Sequence, residues 1–255
     1  MYNSLELREI FHLEFLRWFG RKAKAGFYAL KGGANLRFFF KSFRYSEDMD
    51  LDVRGIGVHH LKDTVMEILK ALSFHDTLRP FGIERVVPPD ILKAKETNAT
   101  QRFKIHLLAS GGESLFTKVE FSRRGFRGEI AVNPVSDLLL RKYKMPPLLV
   151  PHYDIQSAIA QKIGALAARS MIQARDIFDL YVLSSQCGPA AIKEIEISRA
   201  RRNKAYENVF EVSFRQFHDT VLSYLSTEDQ AVYNLSSSWD EIKLKVSDFI
   251  SELEG

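Results

Sequence analysis

The sequence holds one cysteine, Cys187, in 255 residues. No internal disulfide can form, and a reducing cytoplasm is the expected compartment. No His or Asp stands where it would make Cys187 an evident nucleophile, so a buried, inert thiol is expected. Long apolar runs are also missing. The N-terminal stretch MYNSLELREIFHLEFLRWFG spreads charge through its apolar residues, which argues against a signal peptide or a membrane span. There is no internal repeat and no low-complexity run. Two phosphate fingerprints are absent, GxxxxGK[ST] and a strand-borne GxGxxG, so neither a P-loop NTPase nor a Rossmann dehydrogenase is supported. His59, His60, His106 and His152 show no metal-ligand spacing.

What is present is an ordinary globular composition, 45% apolar and 27% charged, in a chain long enough for one large domain or two smaller ones. A net charge of +4 is compatible with a nucleic-acid partner but does not establish one. Leu5, Ile10, Leu13, Leu16 and Trp18 form a helical stripe, with Ser4 as N-cap and Gly26 as the latest stop. The pattern then predicts a strand at 27–31, a helix at 34–41, a strand at 48–53 and a helix at 58–73. Strands at 102–109 and 115–122 are joined by SGGES, a turn with two glycines. After a proline-marked linker at 145–151 the pattern becomes helical, at 156–170, 174–185, 203–224 and 239–252. The expected fold class is α+β. A mixed sheet with helices occupies residues 1–150, and a mostly helical region occupies 151–255.

The chemistry concentrates in residues 31–53, KGGANLRFFFKSFRYSEDMDLDV. Asp48, Asp50 and Asp52 alternate with Met49, Leu51 and Val53, so a strand would project the aspartates from one face. Two like charges ~5 Å apart at an effective dielectric of ~20 cost on the order of 3 kcal/mol, less on an open face. A solvated strand face accounts for an isolated pair of aspartates. Glu120 changes the balance, because Val119 and Phe121 flank it on the opposite face of a second strand. Were the two strands neighbours, three carboxylates would suit a hard divalent cation, above all Mg²⁺ with phosphate oxygens completing its shell. Gly32-Gly33 lies between a strand and a helix, where glycine allows close backbone approach and the helix start offers N–H groups to an anion. A tight turn would use the same glycines.

Further along, Ile155, Ala158, Ile159, Ile163 and Leu166 form a core stripe. Lys162 falls within it, either snorkelling at the rim or held inward for an anion. Arg169 follows on nearly the same face. Arg175 and Asp176 open the next helix, with Asp179 one turn beyond; a charge pair and a cap would explain them equally.

The order of strand, Gly-Gly, helix, aspartate strand and later acidic strand resembles the nucleotidyltransferase fold of the DNA polymerase β superfamily. More narrowly, LKGGANLRFF and RYSEDMDLDV are similar to the AbiEii/AbiGii nucleotidyltransferase toxins, the toxin half of type IV toxin–antitoxin systems. The resemblance covers most of residues 30–53. It returns near Glu120 and at 155–183, where Lys162, Arg169, Arg175, Asp176 and Asp179 match a K…R…RDxxDL pattern. The spacing from Gly33 to Asp48 is slightly longer than is commonest in that family, with FFFKSFRY falling in a loop.

The resemblance implies transfer of a nucleoside monophosphate from an NTP to an acceptor, with pyrophosphate leaving. It implies Asp48 and Asp50 as ligands of one or two Mg²⁺ ions, Glu120 completing the site and Asp52 outside it. Lys31, Gly32, Gly33, Ser46 and Arg169 would bind the nucleotide. Lys162 would lie on the triphosphate and Asp176 near the nucleotide or the lysine, both catalytic together with Asp48 and Asp50. The implied acceptor is RNA, at the tRNA 3′ end, in an abortive-infection setting with a cognate antitoxin as partner. A protein hydroxyl is the alternative acceptor, and a catalytically silent RNA- or partner-binding module is the alternative from another class. The basic clusters Arg123/Arg124/Arg127, Arg141/Lys142/Lys144 and Arg199/Arg201/Arg202/Lys204 either track an RNA backbone or are solvated charges. Few aromatics accompany them (Phe126, Tyr143 and Tyr206), so sequence-specific RNA reading is not indicated.

Overall fold

Alternating burial builds a sheet. In the computed structural model, which describes residues 2–90, 96–97 and 99–253, strand β1 is Tyr28–Lys31 and strand β2 is Met49–Val53. Leu30, Met49, Leu51 and Val53 are buried on one face. The remaining strands are β3 (Ile83–Val87), β4 (Glu96–Thr97), β5 (Thr100–Ala109), β6 (Ser114–Ser122), β7 (Ile130–Pro134) and β8 (Leu149–Tyr153). They run in the order β3-β5-β6-β2-β1-β8-β7, with β4 paired to β5. β2 is parallel to β6 and β1 to β8, and the other pairs are antiparallel.

Helix α1 (Ser4–Lys22) supplies Leu7, Ile10, Phe11, Phe15, Leu16 and Phe19 to the core. Its cap is Asn3, not Ser4. The Asn3 side chain accepts from the Leu5 and Glu6 amides at 3.0 Å each, and Glu6 accepts from the Asn3 amide at 2.9 Å, a reciprocal capping box. Phe19 meets Tyr28 and Phe121 at ring-centroid separations of 5.1 and 5.3 Å, joining the helix to the sheet. Helix α2 (Gly32–Phe39) begins directly at the end of β1. The helix expected at 58–73 divides into α3 (Val58–Lys70) and α4 (Leu72–Leu78), because Ala71 is extended at φ −67° and ψ 123°. A short α5 (Asp137–Lys142) precedes β8.

The expected proline-marked linker at 145–151 is not one. Its last residues belong to β8, inside the sheet between β1 and β7, with Pro151 opposite Val132. Val150 and Tyr153 are wholly buried, and that burial overrides the local proline signal. β3 and β7 were not anticipated from the sequence either. Neither alternates cleanly: β3 exposes two successive residues, and β7 is exposed at its last three.

The chain divides into two compact units, Met1–Phe39 with Tyr45–Tyr153, and Phe40–Arg44 with Asp154–Gly255. The second unit is helical: α6 (Ile155–Ala168), α7 (Ala174–Ser184), α8 (Pro189–Ile192), α9 (Arg199–Phe210), α10 (Phe214–Thr220), α11 (Thr227–Tyr233) and α12 (Ser236–Glu252). The single helix expected at 203–224 is broken after Phe210. Ser213 restarts the chain as the N-cap of α10, with Gln216 closing a capping box. Trp239 is fully buried, stacks on Phe217 at 4.4 Å and donates to the Val212 carbonyl at 3.0 Å. Cys187 is buried and free, and burial pushes its pKa up, as expected for an inert thiol.

Candidate active site

The strand register assembles the first group of charges. β2 and β6 pair so that Asp50 lies opposite Glu120, while β1 places Lys31 opposite Asp50 and β5 places Arg102 opposite Glu120. One row across four strands therefore reads Lys31, Asp50, Glu120, Arg102. Two residues earlier on β6, Lys118 lies opposite Lys104, and its ammonium reaches Asp48 at 2.7 Å. Arg102 holds Glu120 with Nε at 2.7 Å and Nη2 at 2.6 Å. Lys31 donates to Asp52 at 2.5 Å, and the Tyr153 hydroxyl donates to the other Asp52 oxygen at 2.6 Å. Asp52 is thus buried and doubly bound. Ser46 donates through its hydroxyl to the Asp48 carbonyl at 2.7 Å, shaping the turn that leads into β2.

Asp50 differs from its neighbours. Among the described residues it has no hydrogen bond and no ion-pair partner, although it is half-buried. Burial first, and then the Glu120 and Asp48 carboxylates, raise its pKa above the ordinary value against the pull of Lys31 and Lys118. Gly32 sits against it. That residue has φ +69°, and a Cβ there would lie 3.0 Å from Asp50 Oδ2. Glycine is needed for both reasons, the left-handed backbone and the closeness of the carboxylate. The start of α2 is thereby packed onto the carboxylate that lacks a cation.

Among the described residues no three His, Cys, Asp or Glu side chains form a ready metal cage. Mg²⁺ does not require one, since it keeps several waters and binds through one or two carboxylates plus substrate phosphates. An all-oxygen donor set, with one carboxylate raised in pKa by burial and by its like-charged neighbours, fits a hard divalent cation. Sequence reasoning overlooked Lys118, Arg102 and Tyr153 as the partners of Asp48, Glu120 and Asp52. The signal for the first two was available, since Lys118 alternates in phase with Glu120 on the same strand and Arg102 does so on the neighbouring one.

A second group of charges lies within the helical unit. Arg44 grips Asp179 in a bidentate pair, Nε to Oδ1 at 3.0 Å and Nη2 to Oδ2 at 2.9 Å. Lys162 of α6 reaches Asp179 Oδ2 at 2.5 Å and Asp176 Oδ1 at 3.0 Å, both on α7. Arg169 Nε lies 3.0 Å from Asp176 Oδ2, but that oxygen is buried and accepts no hydrogen bond. Burial opposes charge on Lys162 and on Asp179. The carboxylates nevertheless hold the lysine pKa up, and Arg44 with Lys162 holds the Asp179 pKa down. Arg175 is exposed. The residues FFFKSFRY, expected to form a loop, do lack regular structure after Phe39, but Phe40–Arg44 fold with the helical unit. Phe43 packs on Phe178 and Tyr233 there. In the sheet unit, Arg37 of LKGGANLRFF is bound to Glu9 at 2.6 Å.

Many of the basic residues are tied into the fold. Arg123 donates to Gln101 and to the Ile56 carbonyl, Arg141 pairs with Asp137, Lys142 with Glu6 and Lys204 with Glu207. Arg202 donates to the Leu253 carbonyl. No helix among the described residues is long and apolar enough to cross a membrane.

Comparison with known proteins places the family and the fold. Residues 15–241 match the family described as nucleotidyl transferase AbiEii toxin, type IV TA system. No curated protein sequence matches the chain. The structure is similar to that of JHP933 from Helicobacter pylori, with TM-score 0.62 and 16% identity over 99% of this chain and 94% of that one. It is also similar to MenT4, the nucleotidyltransferase toxin Rv2826c from Mycobacterium tuberculosis H37Rv, with TM-score 0.63 and 16% identity over 99% of this chain and 85% of that one. A putative nucleotidyltransferase from H. pylori gives TM-score 0.58 and 16% identity over the full length of both chains. At such identities these structures establish the fold.

Proposed function

The chain belongs to the AbiEii family of nucleotidyl transferase toxins of type IV toxin–antitoxin systems, and from that premise we propose that it transfers a nucleoside monophosphate from an NTP to the 3′ end of an RNA, tRNA in particular, with Mg²⁺. Nucleotidyl transfer, with an NTP as substrate, and an antitoxin partner are what the family carries. The metal and the acceptor are the finer reading. The observation behind it is Asp50, a carboxylate without a cation, flanked by two others and pressed against the glycine that opens a helix.

Asp48 and Asp50 would hold the cation, with Glu120 beside them. When bound there, it would polarise the phosphates and lower the pKa of the acceptor hydroxyl. The acceptor hydroxyl gives its proton to solvent, its oxygen bonds to the α-phosphorus as the α-phosphorus bond to the bridging oxygen of the β-phosphate breaks, and pyrophosphate leaves. The amides of Gly33 and the first turn of α2 offer donors to phosphate oxygens. Lys31 neutralises Asp52 and adds positive potential beside Asp50. In the second unit, Lys162, Arg169 and Arg44 face Asp176 and Asp179, three cations against two carboxylates, leaving one positive charge. That surplus suits phosphate. Lys162 and Asp176 are assigned their catalytic roles, and Arg169 its nucleotide contact, on the family pattern. Chemistry of this kind rests mainly on positioning and electrostatics.

The test incubates purified protein with each α-labelled NTP, Mg²⁺ and total tRNA, beside Asp50→Ala, and separates RNA from protein. Label in RNA that the substitution removes is the expected result. Label in protein would keep the chemistry and replace the acceptor. No label in either fraction would favour a silent binding module.

A further inference from the structure

The open face of the sheet continues beyond the carboxylates. Along β5 and β6 the residues facing that way pair as Arg102 with Glu120, Lys104 with Lys118, and His106 with Phe116. The opposite residues, Phe103, Ile105, Leu107, Leu115, Val119 and Phe121, are buried in the core. The third row is an aromatic pair stacked face to face, which leaves the outer face of Phe116 free. The rings of His106 and Phe116 are 4.5 Å apart between centroids and only 12° from parallel. Phe116 is 61% exposed. His106 Nε2 is 3.0 Å from the Ser114 hydroxyl, which fixes its ring plane. Arg8 Nε donates to the Phe116 carbonyl at 2.8 Å and steadies the strand beneath the ring.

A single exposed phenylalanine would mean little. Here the ring is already stacked, and the Lys104/Lys118 row separates it from the Arg102/Glu120 row. Lys118 is engaged by Asp48, whereas Lys104 is exposed and has no ion pair among the described residues. Four residues of strand separate Phe116 from Glu120, about 13 Å at the usual rise per residue. A single-stranded polynucleotide offers anionic phosphates and stackable bases in alternation, and strand-borne aromatics with flanking cations are a general way to hold one.

We propose that the His106/Phe116 pair is a stacking platform for an unpaired base near the 3′ end of the acceptor RNA, with Lys104 contacting the adjoining phosphate. The inference rests on the RNA acceptor proposed above and adds where the acceptor lies. Such a platform would hold a strand without reading its sequence, since every base has a face to stack.

The experiment is steady-state transfer with the full-length protein, varying RNA at saturating NTP and then NTP at saturating RNA. The expected result for Phe116→Ala is an RNA KM raised about tenfold, as loss of one base–aromatic stack predicts. Its kcat and NTP KM should stay within twofold. Phe116→Trp should restore the RNA KM. Lys104→Ala should raise it less and reduce the salt dependence of RNA binding by roughly 0.7 in log–log slope, one single-strand phosphate contact. Thermal melting of each variant, unchanged at these exposed positions, separates the effect from misfolding. An RNA KM unchanged in Phe116→Ala, or a kcat loss that Phe116→Trp does not restore, would overturn the platform while leaving RNA transfer standing. Wild-type protein that labels no RNA would overturn both.

Discussion

The two groups of charges in this chain obey different rules. In the sheet unit the carboxylates are lined up by register, Asp48, Asp50 and Glu120 half-open to solvent and Asp52 buried, and each of Asp48, Asp52 and Glu120 is held by its own cation while Asp50 is held by none. In the helical unit the charges are buried and cross-tied, with Lys162 and Arg44 sharing Asp179. The sheet group is left with a defect that an external cation would relieve. The helical group has largely satisfied itself, and breaking it would strand charge in a low-dielectric interior. One arrangement leaves a carboxylate open to a cation from outside, and the other ties its charges to one another. A sequence reader sees only aspartates, lysines and arginines in both.

Substitutions at Asp50 and Asp179 test that difference most strongly. Asp50→Ala should reduce transfer by at least about 10³-fold, the scale of losing a principal electrostatic contact to the transition state. Its melting temperature should hold or rise, since a repelling carboxylate is gone. A fall in stability comparable to the loss of activity would show that Asp50 is a structural residue after all. Asp179→Asn is the counterpart. Loss of one partner from a buried pair costs about 3–5 kcal/mol, so its urea midpoint should drop sharply; a wild-type midpoint would contradict the cohesive role.

A smaller effect is expected at Gly32. A Cβ at φ +69° meets Asp50 Oδ2 at 3.0 Å, and Gly32→Ala should cost about 1–2 kcal/mol in backbone strain alone. It should also slow transfer, because the carboxylate must move. If Gly32→Ala melts and transfers like wild type, the close approach has no functional weight.

The subtlest contrast is in pH. The Asp50 pKa is raised above 3.8, so its contribution to stability is fully present below that pH and is lost as pH rises through the raised value. The Asp179 pKa is lowered below 3.8, so its contribution is present above that pH and lost as pH falls through the lowered value. Urea titrations across the acid range should therefore show Asp50→Asn gaining on wild type as pH rises, while the deficit of Asp179→Asn shrinks as pH falls. Slopes of the same sign in both variants would remove the distinction.

Much of the first unit was legible. Alternation in MDLDV and KVEFS marked two strands and their polar faces, and the strand-to-helix switch at Gly32 marked the turn. The partners were less so. Lys31 looked available for phosphate, yet the structure ties it to Asp52. Arg44 lies 135 residues from Asp179 in sequence, and no local pattern signals such a pair. β8 was hidden because Pro151 and the two prolines before the strand argue for a linker, while its burial is conferred by β1 and β7 on either side. His106 and Phe116 lie across a hairpin whose two strands were expected, but the facing of two particular rings depends on register.

By itself the sequence determined what is encoded in short-range pattern: an α+β first half, a helical second half, an acidic strand and a glycine turn. Side-chain alternation and helical periodicity are local properties, and local properties survive in one dimension. Tertiary structure alone decided which carboxylate lacks a cation, which lysine is already engaged, and which aromatic ring lies on the open face beyond the carboxylates. Those outcomes depend on strand order, register and burial, where residues far apart in the chain compete for the same few ångströms.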